Sequence, residues 1–234
     1  MKKSLCILLA VTMLLSLCLC FTGCETEDIR GTVTSDPTES QDPTESQKPS
    51  DPNNEPAFGL GNTTGHTYKN DFLGISCTLP AQWEFATEEQ LLEMNNVVGD
   101  YMDEDVVELL KNATIIYDMS AQYLDEGSSI NINMEKLNAL QLLSLNIKQV
   151  LEGQIPGIIS TYENMGYTDV NVAYEKLTVD GTEFDGLRLN AKIQGFDMHL
   201  VVFTFLKGSY LANVTIGSLR ADAINEVLDA FTIE

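Results

Sequence analysis

The sequence predicts an α+β domain: a largely antiparallel central sheet with helices on both faces, a three-layer sandwich. Three observations predict it. Apolar runs of period two are joined by short turns at Gly74, Asp125-Glu126-Gly127, Asp180-Gly181 and Lys207-Gly208, so successive strands pair as hairpins. Stripes at steps of three and four mark helices. The segment Phe196 to Leu206 is apolar on both faces from Leu200 onward, which is the pattern of a central strand covered on two sides.

The elements follow in order. Tyr68 to Leu79 reads as a hairpin, with Ile75, Cys77 and Leu79 alternating against Ser76 and Thr78. Pro80 ends it, because proline has no amide to donate. Trp83, in Ala-Gln-Trp-Glu-Phe, reads as a core or capping aromatic. Thr87-Glu88-Glu89-Gln90 has the form of a capping box, so a helix is expected through Leu91, Leu92, Met94 and Val97. A second helix is expected to carry Val106, Val107, Leu109 and Leu110. The acidic residues Asp100, Asp103, Glu104, Asp105 and Glu108 lack calcium-loop spacing and read as a solvated face.

Ile115, Tyr117 and Met119 alternate as a strand, and Ile130, Ile132 and Met134 alternate with Asn131 and Asn133 in its hairpin partner. Leu140, Leu143, Ile147, Val150, Leu151, Ile155, Ile158, Tyr162 and Met165 form one helical stripe. Pro156 within it predicts a kink, or two helices with Pro156 in the first turn of the second. Val170, Val172 and Tyr174 then alternate, while Leu177 and Val179 take the opposite phase, which predicts a bulge. Leu187, Leu189, Ala191 and Ile193 alternate with Arg188, Asn190 and Lys192, so that strand has one wet face. Tyr210, Ala212, Val214 and Ile216 alternate, and a last helix is expected to carry Leu219, Ala223, Val227, Leu228 and Phe231.

The N-terminal quarter is different. Lys2 and Lys3 precede an apolar run from Leu5 to Phe21, which ends in Phe21-Thr22-Gly23-Cys24. The order of basic start, apolar middle, small residues and cysteine resembles a bacterial lipoprotein signal. That resemblance implies removal of 1–23 and lipidation of Cys24 as the first mature residue. The apolar run is long enough to span a bilayer. Yet Glu25, Glu27 and Asp28 follow it, rather than basic stop-transfer residues. A two-chain lipid anchor is what durable attachment requires.

Residues 24–57 read as a linker. Five of the seven prolines fall there, and Asp-Pro-Thr-Glu-Ser-Gln occurs twice in tandem. Such a composition cannot offset the entropy of ordering, and proline with like charge keeps it extended, with a reach of at most about 100 Å. The single globular domain is assigned to 58–234, with its ordered part expected from near residue 66.

Charge narrows the function classes. There are 13 basic and 35 acidic residues, and loss of Lys2 and Lys3 moves the net charge from −22 to −24. This argues against nucleic acid and against docking of the domain face on anionic lipid. With the leader gone and Cys24 lipidated, Cys77 has no disulfide partner within the chain. Its phase with Ile75 and Leu79 places it in a core. One thiol with His66 and His199 makes no metal-ligand cluster, and no cofactor is expected.

Tyr68-x-Asn70-x-Phe72-x-Gly74-Ile75, followed by Pro80-x-x-Trp83, resembles the opening hairpin of PsbP-like and DcrB-like domains. The closing order of meander, two long strands and C-terminal helix is similar as well. The resemblance spans about 66 to 234 and implies a PsbP-like sandwich without a shared catalytic motif. The leading expectation is therefore a membrane-tethered extracytoplasmic lipoprotein, on the outer face of the cell membrane, with a non-enzymatic binding or assembly role. Its expected partners are the membrane, through the lipid, and another envelope protein. The alternative is a cell-envelope hydrolase in which His199 pairs with Asp197 or Asp185 beside a serine such as Ser209. A solute-binding protein is disfavoured, because that architecture needs two lobes.

Overall fold

The computed structural model describes residues 57–96, 110 and 113–234. The leader, Cys24, the linker to residue 56, the acidic run from Asp100 to Glu108 and most of the helix expected around Val106 lie outside the described residues. Among the described residues no helix is long and apolar enough to cross a membrane.

Two antiparallel sheets form the domain. The smaller has the order β1-β2-β3-β11, with β1 Asn62–Thr64, β2 Thr67–Asn70, β3 Ile75–Thr78 and β11 Phe231–Ile233. The larger has the order β4-β5-β6-β10-β9-β8-β7. Its strands are β4 Glu84–Phe85, β5 Ile115–Tyr123, β6 Ser128–Lys136, β7 Thr168–Val179, β8 Thr182–Ile193, β9 Phe196–Lys207 and β10 Tyr210–Ser218. The hairpin joining β7 to β8 turns at Asp180 and Gly181, with φ of 47° and 75°. Two successive left-handed residues match the twist of the paired strands, which is why Asp-Gly is favoured there.

The large sheet is covered on both faces. On one, Ile130, Ile132, Val214 and Phe203 pack with Tyr68, Ile75 and Cys77 of the small sheet. Ile224, Val227 and Leu228 of the helix Ala221–Leu228, here α4, join the same core. On the other face, Leu187, Leu189, Leu200 and Val202 meet Leu151, Ile158 and Tyr162 of the helix Ile147–Asn164, here α3. The α+β arrangement with helices on both faces is thus observed, and Leu200 to Thr204 of β9 are buried throughout.

The small sheet is what the sequence did not foretell. Tyr68 to Leu79 forms its hairpin, but the third partner comes from the end of the chain, with Phe231 opposite Cys77. Phe231 is therefore a strand residue rather than the end of the last helix. Leu219 lies before α4 and packs on the opposite core. The packed unit also starts earlier than residue 66: Phe58 stacks on Tyr210 with centroids 4.8 Å apart and meets Phe72 edge-on at 5.4 Å.

The first helix, α1 Glu88–Met94, has the expected capping box: Thr87 accepts from the Gln90 amide, and the Gln90 side chain accepts from the Thr87 amide. The long helical pattern divides into α2 Ala139–Ser144 and α3. The break falls at Leu145 and Asn146, not at Pro156. Asn146 caps α3 by accepting from the Gln149 amide at 3.0 Å. Pro156 sits inside α3 on its exposed side, and the helix runs on through it. Leu140 and Leu143 of α2 are 78% and 85% exposed, so the stripe begins outside the core.

Two strands depart from simple alternation. In β5 the register shifts between Tyr117 and Met119, so Asp118 is an inserted residue. It turns towards the same core as Met119, and Tyr117 no longer shares a face with Met119. In β7, by contrast, pairing is unbroken from Asn171 to Val179. The change of apolar phase after Tyr174 has another cause. Val170, Val172 and Tyr174 pack on the α3 core, and Leu177 and Val179 on the opposite core. The covering layer changes face along the strand, and the bulge lies earlier, between Thr168 and Asn171.

Candidate functional site

The inserted Asp118 is fully enclosed, 4% exposed, with three donors around one carboxylate. The Tyr68 hydroxyl donates to it, Asn70 Nδ2 donates at 2.7 Å, and the Gly61 amide donates at 2.8 Å. The Asn70 carbonyl oxygen accepts from the Leu73 amide at 2.8 Å, which fixes the amide the right way round. Gly61 is required by close approach: a Cβ there would lie 2.2 Å from the Tyr68 ring. Burial raises the Asp118 carboxyl above its ordinary value, outweighing the donors that act the other way, and burial raises the Tyr68 hydroxyl well above its own. The group joins the small sheet to the large one and has no route to a substrate. It is structural, and its two side-chain donors are the Tyr68 and Asn70 of the opening hairpin.

The second constellation lies on the other face of the large sheet. Ser129, Asn131, Asn133 and Glu135 of β6 alternate with the core residues Ile130, Ile132 and Met134, yet none is more than 7% exposed. Asn213 and Thr215 of β10 and Thr204 of β9 continue the row and are equally buried. Thr204 Oγ1 donates to Asn213 Oδ1 at 2.8 Å, and Asn213 Nδ2 donates to Asn133 Oδ1 at 3.2 Å. Asn133 Nδ2 and Thr215 Oγ1 have no hydrogen-bond partner among the described residues. Buried polar atoms are nearly always satisfied, so such a pair marks a place for a bound polar group or an ordered water. Sequence alternation showed the asparagines but assigned them no role.

Beyond this row, along β5, a cleft of about 840 Å³ opens between α1 and the β4–β5 edge. Ser120 and Gln122 line it from the sheet, and Glu84, Thr87, Gln90 and Glu93 line it from the rim. The Gln122 Oε1 atom is buried and has no hydrogen-bond partner among the described residues. The side chains of the row and of the cleft are amides, hydroxyls and carboxylates, groups that act by hydrogen bonding.

The residues of the alternative hydrolase are not brought together. His199 lies opposite Ser218 on β10 and has Nδ1 2.7 Å from Asn190 Oδ1. Ser209 is in the turn at the other end of the same hairpin, roughly 30 Å away by strand rise. Asp185 lies opposite Thr204 and is held by the Tyr174 hydroxyl and by Lys176 at 3.0 Å. Asp197 shares the face of His199 but is exposed, opposite Lys192. Ser218 Oγ is 2.8 Å from Ser128 Oγ and accepts from the Arg220 amide at 3.0 Å. Cys77 is 1% exposed, and burial pushes its thiol up to about 12, far from a reactive thiolate at neutral pH. Trp83 is a core residue, tilted against Tyr123 at 6.3 Å.

No family model matches the chain, and no curated protein matches it. Solved structures do. The chain is similar to the cyanobacterial PsbP, CyanoP, of Synechocystis sp. PCC 6803, with 13% identity and a TM-score of 0.41, over 78% of this chain and 99% of that one. It is also similar to LpqN, involved in cell envelope biogenesis, of Mycobacterium tuberculosis. There the identity is 11% and the TM-score 0.36, over 68% of this chain and 82% of that one.

Proposed function

We propose that the chain is a lipoprotein held at the extracytoplasmic face of the cell membrane through Cys24, with a non-enzymatic binding or assembly role. The observation that carries the reading is Phe21-Thr22-Gly23-Cys24 at the end of an apolar run that opens with two lysines. The proline-rich acidic stretch behind it supports a spacer that lets the domain stand clear of the lipid. The serine and histidine of the hydrolase alternative stand at opposite ends of a hairpin, which supports binding over catalysis. The partner class that fits is another envelope protein.

The experiment is fractionation of cells producing wild type or Cys24→Ala, with labelled palmitate in the medium. Wild type is expected in the membrane fraction carrying label. The variant is expected to lose the label and to appear in the medium or as a longer, unprocessed precursor. Equal labelling, fractionation and migration would refute the proposal.

A further inference from the structure

The chain enters the domain at one end of the large sheet. Phe58 stacks on Tyr210, and Tyr210 stands opposite Lys136 at the close of β6. Leu137 then donates its amide to the Ser209 carbonyl at 2.8 Å, and Asn138 caps α2. The junction with the spacer and the start of α2 therefore meet at one turn, that between Lys207 and Tyr210. α2 is six residues long and has no buried side chain. Leu140 and Leu143 are three positions apart, so they share a face. At 78% and 85% they are the most exposed large apolar side chains among the described residues, and Leu206 of β9, at the same end, is 42% exposed. The acidity of the chain stops short of this end: no Asp or Glu occurs from Lys136 to Leu151 or from Met198 to Ala221. Of the carboxylates nearby, Glu135 is buried, and Asp71 and Glu234 are both paired with Lys69, at 2.9 and 3.1 Å.

We propose that α2 is a membrane-docking tip: Leu140 and Leu143 enter the interfacial layer of the bilayer that holds the chain, with Lys136 and Lys207 at headgroup level. The proposal rests on attachment of the chain through its N-terminal segment. Three arguments single out lipid as the occupant. The tip stands at the end of the domain where the tether arrives, so docking needs no part of the domain to turn away from its attachment. Six residues offer too little area for a stable protein interface, which takes about 800 Å² per partner, whereas insertion into lipid needs no matching surface. The net charge of −22 repels anionic lipid, but charges beyond about 8 Å are largely screened at physiological ionic strength, so an acid-free end is the part able to approach. Two leucines alone bind a membrane weakly. The tether makes docking an intramolecular step at high local concentration, for which weak binding suffices.

The test uses protein recovered from cell membranes and reconstituted into vesicles of phosphatidylcholine and phosphatidylglycerol, brominated midway along their acyl chains to quench tryptophan. Wild type supplies the baseline, since Trp83, the only tryptophan, is a core residue. The added fluorescence of Leu143→Trp is expected to be quenched. That of Leu124→Trp, in the turn at the opposite end of the sheet, is expected to persist. Leu140→Asp, combined with Leu143→Trp, is expected to abolish the quenching, with folding checked by circular dichroism. Quenching at both positions, at neither, or undiminished by Leu140→Asp overturns the proposal; quenching at neither leaves the leucines to a protein partner. Protein that does not float with the vesicles overturns the attachment and the docking together. The mass of the N-terminal peptide tells lipidated Cys24 from an uncleaved leader. Either one holds the chain to the vesicle, so failure of the lipid-anchor reading is distinct from failure of the docking.

Discussion

Tyr68 donates its hydroxyl hydrogen to the carboxylate of Asp118 across 50 residues of sequence. The contact ties the opening hairpin to the bulge of β5. Both groups are buried, so neither can exchange its partner for water. Tyr68→Phe removes the donor and keeps the ring. It is expected to cost about 2 kcal/mol, because the acceptor is a carboxylate that stays enclosed. Urea unfolding measures it, and a cost near zero would show that Asn70 and Gly61 suffice.

The same carboxyl shapes the dependence of stability on pH. Burial raises it above its ordinary value of 3.8, so the folded protein holds this proton more tightly than the unfolded chain. Its contribution is full below that value and is lost as pH rises through the folded value. Unfolding free energies of wild type and Asp118→Asn, taken over a pH series, isolate it. The advantage of wild type over the variant is expected to shrink as pH rises from about 3.8. An advantage that grows with pH would mean that the three donors outweigh burial.

Cys77 faces Tyr68 and Phe231 across the small sheet, and its thiol is pushed up to about 12. A thiol reagent at pH 8 is expected to leave it unmodified until denaturant unfolds the domain. Cys77→Ala is expected to cost about 1 kcal/mol by loss of packing. Rapid labelling of the native protein would place the thiol at the surface instead.

Thr215 is fully buried, with a hydroxyl that has no partner among the described residues. Thr215→Val keeps its shape and removes the hydroxyl that a bound water or polar group would meet. The variant is expected to be about 1 kcal/mol less stable, by loss of that hydrogen bond. Calorimetry of the two proteins decides it. A gain of stability would show that the hydroxyl is unmet in the native protein.

The legible parts of the fold were those set by local chemistry. The capping box at Thr87, the turn at Asp180-Gly181 and the doubly buried strand through Leu200 to Thr204 each follow from a few adjacent residues. What stayed hidden depends on contacts between distant segments. Nothing near Phe231 shows that it will lie opposite Cys77, and nothing near Asp118 shows that Tyr68 will donate to it. The phase change after Tyr174 was visible, but a bulge and a change of covering layer leave the same trace in a sequence. Asn131 and Asn133 were read as the polar half of an alternation, and only the structure shows that this half is buried too. Hydropathy also misplaced Leu140 and Leu143, which stand exposed on α2, outside both cores.

The central claim concerns where the chain is attached, and mass spectrometry of the N-terminal peptide of protein recovered from cell membranes tests it most directly. The account predicts a peptide that begins at Cys24 and carries a diacylglyceryl group on its sulfur. A peptide that begins at Met1, or one that begins at Cys24 with a free thiol, would contradict it.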